Sequence, residues 1–80
     1  MFYVYIIKSK AYNQHYTGIT EDLKRRLQDH NQGKSPHTSK FKPYKISWYC
    51  CFSDKNKAYK FEMYLKSGSG IAFLNKHLLS

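Results

Sequence analysis

Cysteine is nearly absent from this chain. Two occur in 80 residues, and they are adjacent, Cys50 and Cys51. Neighbours on a strand point to opposite faces, so this pair is poorly placed to bridge or to chelate together. A disulfide framework is excluded, and a reducing, cytoplasmic setting is expected. Zinc-ligand spacing is missing too, because the four histidines are scattered at His15, His30, His37 and His77. No hydrophobic run is long enough to span a bilayer. The apolar start, Met1 to Ile7, is short and lacks the basic segment of a signal peptide, so no membrane association is expected. The "SGSG" of Ser67 to Gly70 lacks the Lys-Ser/Thr ending of a phosphate-binding P-loop. Acidic residues are also scarce. Five Asp and Glu stand against fourteen Lys and Arg, a net charge of +9. A basic protein of pI ≈ 9.7 points to a polyanionic partner, nucleic acid in the first place.

Aromatic residues, by contrast, are plentiful. Eight Tyr and five Phe contribute to an aromatic fraction of 18%, and large rings fill a small core efficiently. Eighty residues make one small domain.

The pattern predicts six elements. "FYVYIIK", Phe2 to Lys8, is a buried strand of β-branched and aromatic residues. The polar turn "SKAYNQ" returns the chain into "HYTGI", giving a hairpin. Thr20 is a suitable N-cap, with Glu21 and Asp22 in the first turn of a helix that runs to Gly33. Leu23 and Leu27 mark its core face, and Glu21–Arg25 and Asp22–Arg26 are spaced as i,i+4 pairs. A basic loop follows, then the strand "YKISWYCCF". Ser53 and Asp54 open a second helix with Ala58, Phe61 and Leu65 on its apolar face. "GSG" breaks it, and "IAFLNKHLL" forms a last helix with Ile71, Leu74 and Leu78 inward. The order ββαβαα describes an α+β domain with a small, mainly antiparallel three-stranded sheet flanked by helices.

Several residues invite chemistry. Glu62 falls beside the apolar stripe of the second helix, and a carboxylate near a core needs a cation, a hydrogen-bond network or a metal. The alternative is a stripe-edge Glu with its head in water. Arg26 is either a solvated partner of Asp22 or a guanidinium aimed at a phosphate. His30, at i+4, shares its face. Tyr3 and Tyr5 lie on one face of the first strand, with Tyr16 on its partner. These rings make a cross-strand aromatic cluster, or they place a phenol near a nucleophilic water. A phenol with its ordinary pKa of about 10 is a poor base at neutral pH unless nearby cations depress it.

"YVY" at Tyr3–Tyr5, "YTG" at Tyr16–Gly18, "DLKRRLQDHNQGK" and "FEMYLKSGSG", in this order, resemble the GIY-YIG nuclease superfamily. The likeness is strongest to small standalone proteins related to the N-terminal nuclease domain of excinucleases. It covers nearly the whole chain, residues 1–80, as a single nuclease domain. The resemblance implies an endonuclease that hydrolyses DNA phosphodiester bonds with Mg²⁺ or Mn²⁺, with branched or damaged DNA in repair or recombination as a substrate class. By motif position it implies catalytic roles for Tyr5, Tyr16, Arg26, His30 and Glu62, with Glu62 as metal ligand. Gly18 matches the glycine of the second motif. Arg25, Lys34, Lys40 and Lys42 are expected to hold the substrate backbone, as are Lys76 and His77 on the last helix. Two positions depart from the family pattern: Tyr3 stands where Gly is usual, and Thr17 where Ile is usual. Many family nucleases rely on an attached domain to choose the substrate, so a protein partner supplying specificity is a further expectation. A non-catalytic nucleic-acid-binding module on the same fold is the alternative.

Overall fold

The computed structural model describes residues 1–79. Its elements are β1 (Phe2–Ser9), β2 (His15–Thr20), α1 (Leu23–Asn31), β3 (Tyr44–Phe52), α2 (Lys55–Lys66) and α3 (Gly68–Phe73). A short 3-10 turn, Ser39–Phe41, interrupts the basic loop, and a π-helical turn, Leu74–Leu78, extends α3. The expected order ββαβαα is therefore observed, as an antiparallel sheet with strand order β2-β1-β3.

Alternation along β1 divides the molecule into two cores. Val4 and Ile6 point to one face, where Ala58 and Leu65 of α2 and Leu74 bury completely or nearly so. Tyr5 and Ile7 point to the other, where Leu23 and Leu27 of α1 pack with Tyr44 and Ile46. An irregularity between Ile6 and Ile7 shifts the register with β3, so that Ile6 faces Trp48 and Ile7 faces Ile46.

The helix ends correct several expectations. Asp22, not Thr20, caps α1: its side chain accepts from Arg25 N, 3.1 Å away. Thr20 Oγ1 instead accepts from Asp22 N at 3.1 Å and fixes the turn before the cap. A carboxylate reaches the third amide of the helix more readily from position 22, so the helix starts two residues late. Glu21 and Asp22 consequently lie outside its first turn. The ion pairs Glu21–Arg25 and Asp22–Arg26 are replaced by Arg26–Asp29, a loose contact of 3.9 Å. The C-terminal end falls as expected, with Gly33 at φ 75, the left-handed conformation a glycine adopts without steric cost.

"GSG" does not break the helices. The chain turns at Ser67, whose hydroxyl accepts from Gly70 N and donates to Tyr64 O, so the glycines form the first turn of α3. Of the three residues expected inward on the last helix, only Ile71 departs. Leu74 is buried, Leu78 is partly buried, and Ile71 is exposed. The basic loop is also better anchored than its sequence pattern indicates. Ser35 and Thr38 are buried, and Asn31 clamps the start of β3, accepting from Tyr44 N at 2.6 Å and donating to Tyr44 O at 3.1 Å.

Candidate active site

Tyr5 is at the centre of the site. It is only 2% exposed, on the middle strand, where it pairs with Gly18 on one side and Tyr49 on the other. Gly18 leaves room for its ring. A Cβ there would collide with Tyr5 Oη and lie 2.6 Å from Tyr5 Cζ and 3.0 Å from Tyr16 Cε2. The close approach at this glycine is made by the Tyr5 phenol.

A buried polar chain extends from that phenol. Tyr5 Oη lies 2.9 Å from His30 Nε2, and His30 Nδ1 lies 2.7 Å from Thr38 Oγ1. His30 and Thr38 are almost wholly inaccessible. Burial, reinforced by the Arg26 charge and only partly offset by Asp29, pushes the His30 pKa down to about 4. The imidazole is therefore neutral at pH 7 and carries one N–H. Burial also raises the Tyr5 pKa to about 12, despite the lowering influence of the Arg26 guanidinium beside it; Tyr16 and Glu62 add to the rise. The condition under which a phenol serves as base, depression by nearby cations, is not met at Tyr5, because desolvation outweighs Arg26. With Arg26 against the phenol oxygen, the consistent network has Tyr5 O–H donating to Nε2 and Nδ1–H donating to Thr38 Oγ1.

Tyr16 lies on the edge strand, half-buried, with its ring centroid 6.5 Å from that of Tyr5 and 5.2 Å from that of His30. The flank of α2 reaches it across the β2 edge. Lys66 Nζ sits 5.5 Å from the Tyr16 ring centroid and 2.7 Å from Glu62 Oε2. Glu62 is thus neither solvated nor unpaired: its side chain is 12% exposed and held by Lys66. Arg26 is partly exposed and lines a pocket of about 300 Å³ with Arg25, Thr20, Glu21, Asp22 and Asp29.

Four elements therefore bring Tyr5, Tyr16, Arg26, His30 and Glu62 into one neighbourhood. The remaining basic residues are arranged less tightly. Lys34 is exposed and contacts Asp29 at 3.6 Å. Lys40 and Lys42 lie in the loop after α1, and a Cβ at Gly33 would lie 3.0 Å from Lys42 Nζ. Lys76 and His77 lie on the turn that follows α3, which packs against the opposite face of the sheet. Sequence reasoning missed Thr38, Asp29, Asn31 and Lys66. Lys66 had a signal, its i+4 spacing from Glu62; Thr38 had none, because its partner is His30 across a loop.

Residues 1–71 match the family model of the GIY-YIG catalytic domain. The chain belongs to the GIY-YIG family. A UPF0213 protein of Vibrio campbellii is 38% identical over 64 residues, 79% of this chain and 61% of that protein. Another, from Staphylococcus haemolyticus, is 37% identical over 68 residues, 84% of this chain and 82% of its own length. The solution NMR structure of a UPF0213 protein from Bacillus halodurans shares the fold with a TM-score of 0.56 and 31% identity, covering 95% of this chain and 84% of that one. The chain spans about six-tenths of the Vibrio relative and 65% of a Bacillus subtilis relative.

GIY-YIG nucleases generally use divalent metal ions. Among the described residues no group of three or more His, Cys, Asp and Glu converges as a metal cage. Glu62 nevertheless fits such an ion. It offers hard oxygen ligands, and its carboxylate already holds a cation, the Lys66 ammonium, at 2.7 Å. Mg²⁺ keeps several waters and needs only one or two protein carboxylates when substrate phosphates complete its shell. Among the described residues no helix is long and apolar enough to cross a membrane.

Proposed function

We propose that this chain, residues 1–80 as one domain, is a metal-dependent endonuclease that hydrolyses DNA phosphodiester bonds, with branched or damaged DNA as its repair or recombination substrate. The observation that carries the reading is the convergence of Tyr5, Tyr16, Arg26 and Glu62 from four elements around the end of one buried polar chain. A binding surface alone has no need of a shielded carboxylate beside a phosphate site.

Each side chain has a distinct task. Arg26 meets the non-bridging phosphate oxygens and offsets the charge that grows there in the transition state. Glu62 holds Mg²⁺ or Mn²⁺, which supplies charge stabilisation and water activation when bound. Tyr5 is a positioning group. To act as a base it must first hand its own proton to His30, and an imidazole with a pKa of about 4 is a poor acceptor from a phenol near 12. Tyr16, half-buried and outside the His30–Thr38 chain, is therefore the relay: its oxygen accepts the proton of the attacking water as its own phenolic proton passes to solvent. Gly18 keeps the space that both rings need. Arg25, Lys34, Lys40 and Lys42 grip the strand backbone, which gives salt-sensitive, sequence-tolerant binding. Both cysteines are free and stay reduced in the cytoplasm.

A cleavage assay tests the reading. Labelled single-stranded, duplex, flap and branched DNA meet the protein with Mg²⁺, Mn²⁺ or EDTA, beside the Glu62→Ala variant. Cleavage requires metal and falls at least roughly 100-fold in the variant, the scale of a lost transition-state charge stabiliser. Equal rates for both proteins remove Glu62 from the mechanism. No cleavage with DNA binding intact leaves the binding module in place of the nuclease.

A further inference from the structure

α1 covers only part of its sheet face. It packs with Tyr5, Ile7, Tyr16, Tyr44 and Ile46 and leaves Tyr49 uncovered. Tyr3, Tyr49 and Cys51 share the face with Tyr5, because Tyr3 pairs with Cys51 and Tyr5 with Tyr49 in register. Tyr49 is 54% exposed although it sits on a strand directly beside the buried Tyr5. Its ring is tilted 60° to that of Tyr3, with centroids 6.1 Å apart. Two phenol rings thus form an open aromatic surface immediately next to the candidate active site.

The surface is continuous with positive charge. Tyr3 pairs across the hairpin with Thr20, and Thr20 lines the pocket that also holds Arg25 and Arg26. A nucleotide whose phosphate met these arginines would lie at the same end of the sheet as Tyr3 and Tyr49. In a duplex the base faces are already stacked on one another. An unpaired base presents its π-face and stacks on aromatic side chains without sequence preference.

We propose that Tyr49, assisted by Tyr3, is the stacking platform for an unpaired nucleotide next to the scissile phosphate, so that the substrate is a single-stranded segment of DNA. This rests on the nuclease reading for its place beside the reaction, but its test needs no cleavage. Fluorescence anisotropy in EDTA compares a fluorescein-labelled oligo-dT strand with a blunt duplex of equal length. Tyr49→Ala weakens single-strand binding roughly 5- to 100-fold, and duplex binding changes by less than about twofold. Tyr49→Trp binds the single strand at least as well as the parent, and Tyr49→Leu behaves like Tyr49→Ala. Unchanged single-strand affinity, equal losses on both DNAs, full retention by Tyr49→Leu, or no single-strand binding by the parent at low salt each overturns the proposal. Should Tyr49→Ala fail to fold, the parent protein still decides. A 2-aminopurine base in the strand is quenched on binding if it stacks, and keeps its emission if it does not. These binding measurements are made in EDTA and involve no cleavage, so failure of the nuclease reading and failure of the platform are separately visible.

Discussion

Gly18 has no side chain because Tyr5 fills the space where one would go. Its replacement tests the packing of the site directly. Gly18→Ala forces a methyl into the Tyr5 phenol and the Tyr16 ring edge, and overpacking of this kind costs about 1–3 kcal/mol. Urea unfolding reads that loss, and cleavage falls further than stability because both rings move. A variant with parent stability and parent activity shows instead that the rings have room to yield. His30 carries a second prediction. Its folded pKa of about 4 lies below the ordinary 6.5. Between these values the unfolded chain binds a proton that the folded chain excludes. Stability therefore rises with pH from about 4 to 6.5 and is level above, with a total on the order of 3 kcal/mol. Burial lowers the pKa of His15 as well, so part of the slope is its own. Unfolding curves at pH 4.5, 5.5 and 7 for the parent and His30→Asn separate the two: the variant is less stable at pH 7 and shows a shallower pH slope. An unchanged slope removes His30 as its source.

The elements were legible in the sequence where side-chain period reports burial, and less so where single hydrogen bonds decide. Strand alternation separates Val4 and Ile6 from Tyr5 and Ile7, and the 3.6-residue period places Ala58, Phe61 and Leu65 inward. Cap identity is a different matter. Thr20 and Asp22 both suit an N-cap, and only the observed bond from Arg25 N to Asp22 Oδ1 distinguishes them. The same holds at Ser67, where one hydroxyl joins α2 to α3 within a stretch that reads as a glycine break. The Tyr5–His30–Thr38 chain was not legible at all as a unit, since its members are 25 and 8 residues apart. The cap makes a prediction for α1, which carries Arg25, Arg26 and His30. Asp22→Ala destabilises the fold by about 1 kcal/mol, whereas Glu21→Ala, on an exposed residue outside the first turn, changes it by less than ~0.5 kcal/mol. Thermal unfolding of the two variants checks this, and equal effects return the cap to the wider turn.

Across the whole molecule the question is whether a net charge of +9 acts as a diffuse field or as a defined track. A diffuse field weights all exposed cations alike. A track gives weight only to those on the face with Arg26. The salt dependence of DNA binding distinguishes the two, because log Kobs falls linearly with log salt and the slope counts neutralised phosphates. Arg25 lines the pocket beside Arg26 and Thr20. Lys57 is also exposed, but it precedes Glu62 by five residues and so falls on the other flank of α2. In a track, Arg25→Ala reduces the slope by about one, while Lys57→Ala leaves it unchanged although it removes the same formal charge. Titrations of each variant against labelled DNA at several salt concentrations give both slopes. Equal changes from the two substitutions show a diffuse field, in which case the basic composition accounts for attraction to DNA but places no strand across the tyrosines.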